Sequence, residues 1–223
     1  EQLIQVLPPL VKTADTVIEV INGSLSAVAT NPMEVLTTAV ASVGILAELK
    51  VEQSEKLSIA SLLLDAVYAA SQNTDKTVNN NIAVATSKAT VLAAVTETNY
   101  TSPVIEDKAV AMVSQISNML AVTASPNEDE DILGLIRKLL TSLSNIVARN
   151  GFLPQAQVNS TVSSLSDLSK ALTRITLLGK DNQVESDHFT LYSAVTSPNK
   201  DERDRMLKIT TMKWNPRSIK QSS

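Results

Sequence analysis

The chain has 223 residues, 43% hydrophobic but only 3% aromatic, with no Cys, one His, one Trp, five Gly and a formal net charge of −4. Without Cys there is no thiolate nucleophile, redox pair, thiolate zinc site or disulfide, and a lone His188 leaves no two-His metal motif. A pI near 5.1 and the scarcity of aromatic rings argue against a nucleic-acid surface, which needs clustered cations and stacking platforms.

The five glycines, Gly23, Gly44, Gly134, Gly151 and Gly179, are too scattered to build a phosphate-cradling loop. No transmembrane segment is expected, because no apolar run approaches a bilayer-spanning length. The chain opens at Glu1 without a basic-then-apolar leader, so any targeting signal is expected to be removed or to lie outside it. The length fits one domain, or one domain and part of a second.

Apolar spacing is helical from about residue 10 to 178. The first predicted helix runs from Leu10 to about Val28, with Val17, Ile18, Ile21, Leu25 and Val28 on one face. Asn31-Pro32-Met33-Glu34 then combines a cap, a first-turn Pro and a capping-box Glu. It starts a helix to about Leu49 that turns Leu36, Val40, Val43 and Leu46 inward. Ser54 to Ala70 repeats the pattern through Leu57, Leu63, Leu64 and Val67, and a polar stretch, Ser71 to Asn81, follows.

The fourth helix carries Ile82, Val84, Val91, Leu92 and Val95, and fades at Thr98-Asn99-Tyr100. Ser102-Pro103 caps a fifth with Val104, Val110, Val113, Ile116 and Leu120. Ser125-Pro126 caps a sixth, whose Ile132, Leu135, Ile136, Leu139, Leu140, Leu143 and Ile146 make the strongest stripe, up to Arg149-Asn150-Gly151. The seventh holds Val158, Val162, Leu165, Leu168, Leu172, Ile175 and Leu178, ending at Gly179. The helix starts follow no fixed interval, which fits an irregular antiparallel bundle better than a solenoid repeat.

After Lys180, His188 to Ser193 and Met206 to Thr211 are short, β-branched and alternating, and read as two strands around a Ser197 to Asp201 turn. Two strands cannot bury a core alone. The expected fold is therefore mainly α: an irregular antiparallel bundle of about seven helices over 1–180, then a short β-hairpin within 181–214. That hairpin either docks on the bundle or opens a β-sandwich, and 215–223 reads as a frayed tail.

Several motifs carry a chemical reading beside a plainer one. The run Glu128-Asp129-Glu130-Asp131 offers carboxylates to calcium, but lacks the EF-hand spacing and reads as the dipole-complementing first turn of a helix. Ser197-Pro198-Asn199-Lys200 matches a Ser–Lys acylation pair, without the companion motifs that chemistry requires. Leu62 to Ala70 is an apolar face that a partner helix would capture after unfolding; the plain reading is core. Sequons at Asn22, Asn99 and Asn159 are candidate N-glycosylation sites, and chance alone supplies about three in this composition. Asn99 is the best placed, in a predicted loop.

His188-Phe189-Thr190 resembles the His-Leu-Thr/Ser tripeptide at which some cell-surface proteins cleave themselves. Here it opens a first strand and no Cys accompanies it, so a structural or solvated His is expected. No catalytic residue, metal ligand or cofactor is expected from these residues.

Leu25-Ser26-Ala27-Val28-Ala29-Thr30-Asn31-Pro32-Met33-Glu34-Val35-Leu36, and the Leu/Ser-rich helices down to Leu178, resemble the helical extracellular stalk of polycystin-1-like and receptor-for-egg-jelly proteins. Gly179 to Tyr192 resembles that family's passage from helices into the β-strands of its autoproteolysis (GAIN) domain. The resemblance covers most of the chain as a pattern. It implies a non-catalytic, glycosylated adhesion and spacer segment outside the plasma or ciliary membrane. Other domains of the parent chain and polycystin-2-type cation channel subunits would be its partners. An aromatic-poor, Ala/Val/Ser/Thr-rich bundle is also similar to talin and vinculin rods, and Leu57 to Ala70 resembles their force-exposed helices. That alternative implies a cytoplasmic mechanical adaptor; the Asn-Pro and Ser-Pro junctions and the terminal strands speak against it.

Overall fold

A computed structural model describes residues 13–73, 81–97, 102–149, 153–196 and 207–214. Among them are seven α-helices: α1 (Ala14–Ser26), α2 (Pro32–Glu48), α3 (Gln53–Asn73), α4 (Ile82–Val95), α5 (Pro103–Thr123), α6 (Asp129–Arg149) and α7 (Gln155–Ile175). Three strands follow, β1 (Asp181–Glu185), β2 (Phe189–Thr196) and β3 (Leu207–Trp214). The fold is mainly helical, as the periodicity predicts. The predicted start at Leu10, the loop at Asn99, the stop at Asn150-Gly151, the Ser197 to Lys200 motif and the tail from 215 all lie outside the described residues.

Helix starts follow from cap chemistry, though not uniformly. Thr13 accepts from Thr16 N–H at 3.3 Å. Asn31 Oδ1 accepts from Glu34 N–H at 3.3 Å while Asn31 Nδ2 donates to Glu34 Oε2 at 2.7 Å. Ser102 Oγ accepts from Ile105 N–H at 3.4 Å. Ser125, expected to act alike, makes no side-chain cap bond. Pro126–Glu128 forms a 3₁₀ turn instead, and Glu128 N–H goes to the Ser125 carbonyl at 3.2 Å.

The core is aliphatic. Ile132, Leu135, Ile136, Leu139, Leu140, Leu143 and Ile146 of α6 are all buried, and Ile59, Leu63, Leu64 and Val67 of α3 join the same cluster. Three predicted inward positions prove exposed: Val104 at 61%, Val162 at 52% and Leu178 at 56%. Val104 falls in the first turn of α5, directly after Pro103. α7 stops at Ile175 rather than Gly179, so Leu178 lies beyond the helix and pairs with Val195 as an isolated parallel bridge.

Inter-helix ties reveal how the second half is arranged. Lys138 Nζ donates to Thr90 Oγ1 at 2.7 Å, and Asn145 Nδ2 donates to Thr96 Oγ1 at 3.4 Å. Both sequence positions advance together, so α4 and α6 run parallel. α5 and α7 do the same, because Gln157 Nε2 donates to Asp107 Oδ1 near their starts and Arg174 Nη1 to the Val122 carbonyl near their ends. Alternate helices thus share a direction, as an up-and-down bundle requires.

A chain this rich in Ser and Thr satisfies many hydroxyls within its own helices. Thr90, Thr96, Ser142, Ser164, Thr173 and Thr176 each donate to the carbonyl four residues earlier. Back-bonding leaves the hydroxyl lone pairs free, and four of these oxygens then accept from a neighbouring element: Thr90, Thr96, Thr173 and Thr176.

β1, β2 and β3 form an antiparallel meander in sequence order. The predicted hairpin is β2–β3; β1 adds a third strand that the sequence did not announce. Only Val184 of its five residues is buried, as suits an edge strand with one face in solvent.

Candidate functional site at the bundle–sheet junction

The junction is built from α6, α7, the turn at Gly179 and the first two strands. Phe189, Leu191 and Val195 of β2 alternate inward and are at most 2% exposed. Val184 of β1 sits opposite Leu191 in the register, extending the same face. α7 lies against β2, and α6 reaches β1. The sheet is therefore docked on the bundle.

Polar ties fix its seating. Ser144 Oγ lies 2.8 Å from His188 Nδ1 and accepts the His188 backbone N–H at 3.0 Å. Asn182 Nδ2 donates to Thr176 Oγ1 at 3.1 Å, and Ser193 Oγ to Thr173 Oγ1 at 3.4 Å.

The chain reverses at Gly179, whose φ of +74° lies in the left-handed region that glycine adopts without steric cost. Gly179 N–H donates to the Val195 carbonyl at 2.7 Å, and Val195 N–H returns to the Lys180 carbonyl at 3.3 Å. These bonds stitch the end of α7 onto β2 before β1 begins.

The sequence-derived candidates are scattered over the molecule. His188 is 4% exposed and engaged with Ser144, while Thr190 faces Glu185 and Lys213 across the sheet. Glu128 ends the 3₁₀ turn, and Asp129, Glu130 and Asp131 occupy the exposed first turn of α6. Glu128 and Asp131 line an open cleft of about 580 Å³ with Asn81, Ile82, Ala83, Thr86 and Thr123. Among the described residues no group of three His, Asp or Glu is placed to hold a metal ion. No described helix is long and apolar enough to cross a membrane.

Leu63, Leu64, Ala66, Val67 and Ala70 of α3 are all at most 1% exposed, so the Leu62 to Ala70 face is core in the folded chain. Asn22 and Asn159 project from exposed positions on α1 and α7, where Asn159 Oδ1 accepts from Gln155 Nε2 at 3.0 Å. Ser144, the residue that organises the junction, escaped sequence reasoning: a serine inside a Leu/Ile stripe carries no mark of its partner 44 positions away.

Among the described residues Lys88 of α4 is a buried cation, 6% exposed, and burial lowers its pKa from 10.5 to about 8. It does not line the cleft. Comparison with protein-family models, with curated proteins and with solved structures finds no match.

Proposed function

We propose that this chain is a non-catalytic structural segment of an extracellular stalk of the polycystin-1-like, receptor-for-egg-jelly kind, in which a helical bundle hands over to a β unit. The observation that carries this reading is the tied junction: Ser144 to His188, Thr176 to Asn182 and Thr173 to Ser193 seat the sheet on α6 and α7. A pull on β2 passes directly into those two helices, so the joint acts as a stiff coupling rather than a hinge. The helix-to-strand order also matches what the resemblance implies for the approach to a GAIN-type domain.

In this reading the segment spaces and orients its neighbours outside the membrane, with other parts of the same chain and polycystin-2-type channel subunits as partners. Asn22 and Asn159 sit on outward helix faces, where a glycan is accommodated without disturbing the core. Glycopeptide mapping of the protein from its native source tests the reading. Occupied Asn99, Asn159 or Asn22 is the expected result. A chain unmodified at all three, with α3 capturing a vinculin-type head domain under load, would replace it with the cytoplasmic rod.

A further inference from the structure

We infer that the seam between the parallel helices α5 and α7 is a built-in opening plane, which parts while the rest of the bundle stays folded. Three buried side-chain atoms of the described residues lack a hydrogen-bond partner: Ser117 Oγ on α5, and Gln157 Oε1 and Thr161 Oγ1 on α7. All three lie on these two helices. The Asp107–Gln157 and Val122–Arg174 ties set the register, which strings the orphans along one shared interface.

The contrast with neighbouring hydroxyls is specific. Thr96, Ser142 and Ser164 are buried helical hydroxyls that back-bond to their own helix, and Thr96 also accepts from α6. Ser117 and Thr161 do neither. A desolvated hydroxyl without a partner costs free energy that water restores on exposure, so each orphan lowers the cost of parting these helices.

One end of the seam holds weakly by the same logic. Val122 and Arg174 are both exposed, so that tie exchanges for water at little cost, while the other joins exposed Asp107 to the buried Gln157. By contrast, α7 is bonded to the sheet through Thr173 and Thr176, and α6 to α4 through Lys138 and Asn145. On its other side α5 also meets α3, where Lys108 and Asp65, both partly exposed, form an ion pair. Opening along the seam therefore keeps the bonds of α7 to the sheet.

A chain without cysteine permits a clean thiol test. Ser117→Cys and Ser142→Cys each place a thiol of nearly serine size at a position that is 0% exposed, one on the seam and one on α6. Labelling with a thiol reagent in water is expected to be at least tenfold faster at position 117 than at 142. The rate at 117 should also respond little to low urea, the mark of local opening. Adding Thr161→Val to Ser117→Cys removes one orphan without changing side-chain shape, and should slow labelling several-fold. Equal rates at 117 and 142, with the same urea dependence, would overturn the inference, as would faster labelling after Thr161→Val.

Discussion

Ser144 and His188, 44 residues apart, share two hydrogen bonds: the serine hydroxyl meets Nδ1 at 2.8 Å and the histidine main-chain N–H at 3.0 Å. One oxygen thus positions both the backbone and the ring of the residue that leads into β2. The lone His, first a candidate for chemistry, is a fastener between helix and sheet.

Replacing Ser144 with Ala removes both bonds at a position 2% exposed. Unfolding in urea should show a loss of about 1–3 kcal/mol. Ser142→Ala is the matched control, because that hydroxyl bonds only within its helix, to the Lys138 carbonyl at 2.9 Å. It should change stability by less than about 0.5 kcal/mol, since back-bonding adds little to a helix. Equal effects for the two variants would deny the junction its polar fastening.

The three Pro junctions look alike in sequence but should respond differently. Asn31→Ala loses a cap bond to Glu34 N–H and the reciprocal contact with its carboxylate, for about 1 kcal/mol by thermal or chemical melting. Ser125→Ala loses no cap bond and should be close to neutral. A costly Ser125→Ala would mean that the 3₁₀ start of α6 is capped after all.

At Gly179 a methyl group would meet nothing within 4 Å, so any cost of Gly179→Ala comes from the backbone alone. Forcing alanine to φ +74° should destabilise by about 1–2 kcal/mol. Gly179→Asn, which tolerates this region better, should recover part of the loss. If both variants matched the parent chain, the turn would not depend on its left-handed residue.

Lys88 makes stability depend on pH in the alkaline range. Its folded pKa of about 8 lies below the ordinary 10.5, so between those values the unfolded chain binds the extra proton. The penalty for burying the charge is complete below pH 8 and fades as pH rises towards 10.5. The wild-type protein should therefore gain stability across this window relative to Lys88→Met, measured by urea midpoints at each pH. Parallel curves for the two proteins would contradict the shift.

What was legible in the sequence was whatever depends on near neighbours along the chain. The stripe of α6 from Ile132 to Ile146 is buried throughout, because a repeat of three and four residues selects one helix face wherever that helix packs. Asn31 and Ser102 cap as their spacing predicts, since cap and N–H lie three residues apart. β1 was hidden because an edge strand with a single buried residue, Val184, lacks the alternation that betrays a strand.

The local pattern thus determined by itself that this protein is helical, where most helices begin, and which face of each turns inward. Only the tertiary structure decided that α4 pairs in parallel with α6 and α5 with α7, that Ser144 meets His188, and that Ser117 Oγ, Gln157 Oε1 and Thr161 Oγ1 are buried without partners. The physical reason is one of range. Hydrophobic burial is non-directional and names a face but no partner. Which serine among many meets a histidine, and which is left alone, depends on contacts between residues some 50 positions apart, set only when the helices have packed.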